Sequence, residues 1–314
     1  MYMYIIYIYT YIRTHTHTHA HTRTHTRSAP PTPPPSPYVP PQVRRQISGA
    51  RDERALLLLM PRLGGPQLCE ALARLSSLVR DCPDPEAWAA SLTAGPDFNA
   101  TLRRVKDVLP ELDHVQLRDS LCALAELNVR EPWVLLLYCE RIASLLHVLT
   151  VADTARCLWA FCAMGLAQAP TYGKMMRAVE KQVRALPAEV LCRLIRAIVP
   201  LGRAAACARL LPKLAGSLAL AQPLPPLREL LSTCRALASR IPLPALLLIE
   251  VHQIVTAEVS GEGDPESLSL AGSLEPAQIA TALWIFVRHL PVVSRHIYVL
   301  YIYIYIYIYI PVST

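Results

Sequence analysis

At 314 residues, with 53% hydrophobic residues, a formal net charge of +7 and a pI of about 9.0, the chain can bury a sizeable core and has a length suited to one or two domains. Its nine cysteines are odd in number, fall mostly on apolar positions and include no CxxC pair; they argue against a disulfide framework and a zinc site and suit reduced, buried, intracellular residues. The basic side is carried by arginine, since lysine occurs only at Lys106, Lys174, Lys181 and Lys213, and arginine favours bidentate phosphate and planar stacking contacts.

The N-terminus alternates Tyr with Ile and then Thr with His up to Arg27. A dinucleotide repeat in DNA translates as two alternating residues, TA repeats as Tyr-Ile and CA repeats as Thr-His, so this stretch reads as a translated repeat. His15, His17, His19, His21 and His25 offer metal ligands, but composition favours the repeat reading, and no metal or cofactor is expected. No acidic residue precedes Asp52, whereas Arg13, Arg23, Arg27, Arg44, Arg45 and Arg51 do, a pattern similar to an organelle transit peptide. Residues 29–41 are proline-rich and expected to be extended, so residues 1–48 are read as a low-complexity tail.

Residues 49–110 read as an irregular helical region, with helices over Ala55–Met60 and Gln67–Val79 and breaks at Pro83, Pro85 and Pro96. QLCEALARL from Gln67 echoes QLRDSLCAL from Gln116, which suggests a divergent first repeat.

The region 111–296 is organised around DTARCLWAFCAMGL, from Asp153. Similar stretches begin at Gln116, Val190, Glu229 and Gln278, and their central residues are Ala123, Ala160, Ala197, Ala236 and Ile285, spaced 37, 37, 39 and 49 residues apart. Self-similarity at a period of about 20–50 residues marks a repeat array. Apart from Thr154 at −6, apolar residues fill the offsets −6, −2 and +1 from the centre, as in Leu121, Leu158, Ile195 and Leu283 at −2, which is the spacing of one helical stripe. Offset −4 lies opposite and holds Asp119, Arg156, Arg193, Ser232 and Thr281. Each copy is followed by a second helical stretch, over Trp133–Leu149, Tyr172–Leu186, Ala204–Leu220 and Ala245–Val259, with Pro212 expected to kink the third. The expected fold is therefore all-α, an α-solenoid of stacked antiparallel helix pairs with low-complexity ends. Residues 260–275 read as a polar surface loop, and 297–314 as a Tyr-Ile tail whose 14-residue apolar run is short of the roughly 18 a membrane helix needs, so no membrane association is expected.

The sequence holds no Walker loop, GxGxxG, HExxH or GxSxG, and no enzyme activity is expected. Opposite the apolar stripe, offset −4 brings Arg156 and Arg193 to one face, and offset −1 adds Arg196 and Arg235. Trp159 and Trp284 share offset −1, where packing against the next repeat is the preferred reading and a base-stacking platform the alternative. The expected RNA-binding set is Arg156, Arg193, Arg196, Arg235 and Trp159, with single-stranded RNA as ligand because a regular duplex hides its base edges.

The run Leu158–Phe161, LWAF, echoed as LWIF at Leu283–Phe286, resembles the helical repeats of FAST-kinase-like proteins. It is also similar to octatricopeptide and heptatricopeptide repeat proteins, organellar RNA-binding α-solenoids that often end in a RAP domain. The resemblance covers roughly residues 112–290 and departs from the family in having no RAP-like segment after the last repeat. It implies RNA processing, RNA stability or ribosome assembly in a mitochondrion or plastid, with organellar RNA-processing or ribosomal proteins as further partners. The alternative is a protein-interaction scaffold of the HEAT or armadillo kind that binds no nucleic acid.

Overall fold

A computed structural model describes residues 41–50, 52–167, 169–201, 205–260 and 276–289. The Thr-His and Tyr-Ile tracts, residues 261–275 of the expected surface loop and the side chain of Leu283 lie outside the described residues. Those residues form fourteen α-helices and no strand. The helices are α1 (Pro41–Gly49), α2 (Glu53–Leu59), α3 (Gly65–Arg80), α4 (Pro85–Thr93), α5 (Pro96–Val108), α6 (His114–Glu126) and α7 (Pro132–Leu145). There follow α8 (Val151–Ala163), α9 (Pro170–Lys181), α10 (Ala188–Ile198), α11 (Ala205–Leu218), α12 (Leu227–Ala238), α13 (Ala245–Ser260) and α14 (Pro276–His289).

The repeat is written into the helix ends. The N-cap positions of α6, α8 and α10 are Asp113, Thr150 and Pro187, 37 residues apart. Asp113 accepts from the amides of Val115 and Gln116 and Thr150 from that of Asp153, filling donors that a first turn leaves open. At the other end Asn128 and Gly165, again 37 apart, adopt left-handed φ of 55° and 77°. Beyond them the amides of Val129 and Leu166 reach back to the carbonyls of Leu124 and Phe161, closing α6 and α8 with the same Schellman turn.

The copies of the repeated helix, α6, α8, α10, α12 and α14, pack one on the next, and α3 joins the front of this row by packing on α6. The second helices α7, α9, α11 and α13 form a parallel row, each packing against its own first helix and against its neighbour. All of Leu117, Leu121, Leu124, Leu158, Phe161, Leu191, Ile195, Ile198, Leu230 and Leu237 are buried, as the stripe at offsets −6, −2 and +1 requires. In α3 the equivalent Leu68, Leu72 and Leu75 are buried as well, which aligns it with the later copies. The buried arc is wider than the stripe. Offset −3 holds Ser120, Cys157, Leu194, Thr233 and Ala282, all buried, because neighbouring helices of the row close over it as well as the other row.

Some boundaries differ from the expectation. The tail expected over residues 1–48 gives way at Pro41 to α1, which packs on α3 with Ile47 fully buried. Pro85 and Pro96, read as breaks, instead start α4 and α5, since a first-turn residue has no amide bond to lose. α7 ends at Leu145 rather than Leu149, and α9 ends at Lys181 with a 3-10 turn over Val183–Ala185. Pro212 is carried inside α11.

Candidate nucleic-acid interface

The exposed arc of the first row is the side away from the stripe, at offsets −4 and −1. Two clefts open along it. One, of about 510 Å³, runs across α3 and α6 and is lined by Arg44, Glu70, Arg80, Asp119, Glu126 and Arg193 among others. The second, of about 250 Å³, runs from α6 across α8 to α10 and is lined by Asp119, Cys122, Arg156, Trp159, Glu189, Val190 and Arg193. Asp119, Cys122 and Arg193 line both, so the clefts form one track crossing four successive helices.

The charges along this track alternate in sign. Four arginines (Arg44, Arg80, Arg156, Arg193) face four carboxylates (Glu70, Asp119, Glu126, Glu189). Arg44 lies 3.5 Å from Glu70 and Arg80 3.7 Å from Glu126. Arg193 meets Glu126 at 3.6 Å and Glu189, one turn back on its own helix, at 2.9 Å. Asp119 is held by Arg118 at 2.6 Å. Among the described residues Arg156 alone of these arginines has no carboxylate partner.

The five expected site residues therefore divide. Arg156, Trp159 and Arg193 come together in the second cleft. Trp159 is half-buried, packed against the core, and also lines the cleft. Arg196 and Arg235 are exposed on the same arc but line neither cleft. Arg196 is bound across the row to Glu229 at the start of α12, whereas Arg235 makes no ion pair among the described residues. At the end of the row Trp284 has its ring covered by the Arg288 guanidinium at 5.2 Å.

Beneath the track lies a pair that the column reading missed. Arg118 of α6 and Asp153 of α8 form an ion pair, with side chains only 14% and 10% exposed. Thr150 donates a 2.7 Å hydrogen bond to the other oxygen of Asp153. Burial opposes ionisation of Asp153, but the Thr150 hydrogen bond and the Arg118 guanidinium outweigh it and hold the carboxyl below its ordinary range. The two residues occupy different offsets in their copies, so an alignment of columns does not place them side by side.

Neither cysteine of the first cleft is set up as a nucleophile. Burial pushes the Cys122 and Cys69 thiols up to about 12, so both are protonated at neutral pH and poor nucleophiles. Among the described residues there is no group of three or more His, Cys, Asp or Glu that could hold a metal ion, and no helix is long and apolar enough to cross a membrane. Neither a scan of protein-family models nor a search of curated proteins finds a match to this chain.

Proposed function

We propose that this chain is an α-solenoid of helical repeats that binds single-stranded RNA, acting in RNA processing, RNA stability or ribosome assembly in a mitochondrion or plastid. The observation that carries the reading is the pairing of Arg156 with Trp159 in one cleft. An arginine without a carboxylate partner is free to meet a phosphate or lie flat on a base, and a half-open indole beside it is a stacking surface. Arg235 offers a second free guanidinium farther along the same arc. The similarity of LWAF and LWIF to organellar RNA-binding repeats supports the same ligand and the same compartments.

A second reading, a protein-interaction scaffold, is favoured by the charge alternation along the track. Arginines already neutralised by carboxylates gain little from a polyanion, and a mixed-sign surface suits a mixed-sign partner. Two experiments separate the readings. Crosslinking in cells followed by isolation of the protein tests for bound RNA, and titration of the purified chain with single-stranded oligoribonucleotides tests the cleft. Arg156→Gln combined with Trp159→Ala is expected to weaken binding at least tenfold with the helical circular dichroism unchanged. Arg193→Gln is expected to do less, because Glu126 and Glu189 already hold that guanidinium. A wild-type chain that binds no RNA at low salt overturns the RNA reading in favour of the scaffold.

A further inference from the structure

The strongest concentration of unbalanced charge is not on the first row of helices. Lys174, Arg177 and Lys181 follow one another at three- and four-residue intervals along α9, and Arg184 continues the line in the 3-10 turn after it. All four are exposed, while Thr171, Tyr172, Met175, Met176 and Val179 fill the opposite side of the helix. The adjoining α11 adds Arg209 and Lys213, both exposed. Across α9, the turn and α11 these six cations face a single carboxylate, Glu180. That carboxylate is taken up by Lys213 at 2.8 Å, whose hydrogen bond and charge hold it below the ordinary carboxylate range. Among the described residues Lys174, Arg177, Lys181, Arg184 and Arg209 make no ion pair at all. No residue of α9 or α11 lines either cleft of the first row.

We propose that this outer face of α9 and α11 is a phosphate-binding surface that takes the sugar–phosphate backbone of RNA independently of sequence. The proposal rests on the RNA reading above and adds to it a second, larger contact on the other row. Side chains three and four residues apart on a helix stand about 5–6 Å from one another, on the scale of successive phosphates in a strand. The line from Lys174 to Arg184 can therefore follow a backbone without bending it sharply. Charge complementarity selects the ligand, and the composition of the face narrows it. A protein partner needs buried apolar or aromatic anchors. The exposed large hydrophobic residues (Leu58, Val115, Trp133, Val148, Leu220, Leu246, Ile249 and Trp284) all lie off α9 and α11. Phosphate contacts need no such anchor, and they position a nucleic acid without reading it.

The test compares the full chain with a variant carrying Lys174→Gln, Arg177→Gln, Lys181→Gln, Arg184→Gln and Arg209→Gln, all on exposed side chains, with circular dichroism and melting temperature as the control for folding. Each is titrated with a single-stranded oligouridylate over a range of salt. The expected result is at least a tenfold loss of affinity at low salt. The slope of log affinity against log salt should fall by about 0.7 for each phosphate contact removed, hence by more than 2 if most of the five make one. An oligocytidylate of equal length should lose the same factor. Wild-type binding with no change of slope in the five-site variant overturns this surface and leaves the cleft reading standing. Absence of wild-type binding overturns both. If polyglutamate binds the wild type in the presence of RNA without displacing it, and only that binding is lost in the variant, the surface belongs to an acidic protein and the proposal fails. Should the five-site variant melt early, Lys174→Gln with Arg177→Gln alone must still lower the slope, and an unchanged slope there overturns the proposal.

Discussion

The bridge between Arg118 and Asp153 joins two successive copies of the repeated helix, and its removal tests how those copies are held. Asp153→Asn keeps the size of the side chain and its acceptor toward Thr150 but removes the charge that Arg118 faces. Breaking a buried ion pair by removing one partner costs about 3–5 kcal/mol, because the other charge stays buried. Here the Arg118 side chain is 14% exposed and keeps Asp119 at 2.6 Å, so the loss should fall below that range, at about 2 kcal/mol. The paired change Arg118→Met with Asp153→Leu removes both charges and should cost less than about 1 kcal/mol. The folded-state carboxyl of Asp153 titrates below its ordinary value, so its stabilisation is present above that value and is lost as pH falls through the lower one. Urea unfolding followed by far-UV circular dichroism should therefore separate wild type from Asp153→Asn at about pH 7 and bring them together only once acid has protonated the carboxylate, below its ordinary range. A difference below about 0.5 kcal/mol at neutral pH, the size expected of an exposed pair, refutes the buried bridge.

Two further substitutions test the packing. Leu158→Ala, at a fully buried position in the middle of the first row, should cost about 2–5 kcal/mol in the same unfolding assay, and a loss under about 1 kcal/mol would mean that the stripe is wrongly registered. Ile47→Ala should lower the melting temperature, because Ile47 is fully buried where α1 packs on α3, and truncation at residue 49 should lower it relative to truncation at residue 40; equal melting temperatures would show that α1 contributes nothing.

The helical hairpins were legible because three signals agreed in most copies, with Ile285 the one central residue that is not small. The stripe at −6, −2 and +1, the small central residue and the polar −4 position all follow from one helix packed on its partner. The helix ends were legible in principle too: Asp113, Thr150 and Pro187 share a period but stand ahead of the repeated stretch, while Asn128 and Gly165 share it inside the stretch without any apolar signal to mark them. The buried offset −3 was not legible. Its occupants include Ser120 and Thr233, which carry no hydrophobic signal and are buried only because neighbouring copies close over them. α1 was hidden for a related reason: its few apolar residues, Val43 and Ile47, sit among prolines and arginines, and only α3 gives them something to cover. The neutralised arginines were invisible in a column-by-column reading. Glu126 and Glu229 stand in other columns, and only the stacking of helices brings them to Arg193 and Arg196, while Glu189 meets Arg193 along its own helix rather than across columns.

The charge of the whole chain says less about RNA than its distribution does. Residues 41–289 hold 27 Lys and Arg against 24 Asp and Glu, while Arg13, Arg23, Arg27 and Arg295 supply the other four positive charges of the +7. A span of net +3 does not by itself steer a polyanion. What steers is local imbalance, and the two faces differ sharply in it. Along the clefts four arginines meet four carboxylates, whereas α9 and α11 set six cations against one. If RNA binds this chain, the outer face should therefore supply most of the salt-dependent affinity. The cleft, with Trp159 and Arg156, should supply the contacts that salt affects least, because stacking releases no counterions. The two contributions can be told apart within a single protein. Trp159→Ala should lower affinity by a similar factor at low and high salt, while the five-site variant of α9 and α11 should lose affinity at low salt and converge on wild type as salt rises. A Trp159→Ala variant whose deficit vanishes at high salt would place the indole outside the contact and leave the cleft without a stacking role.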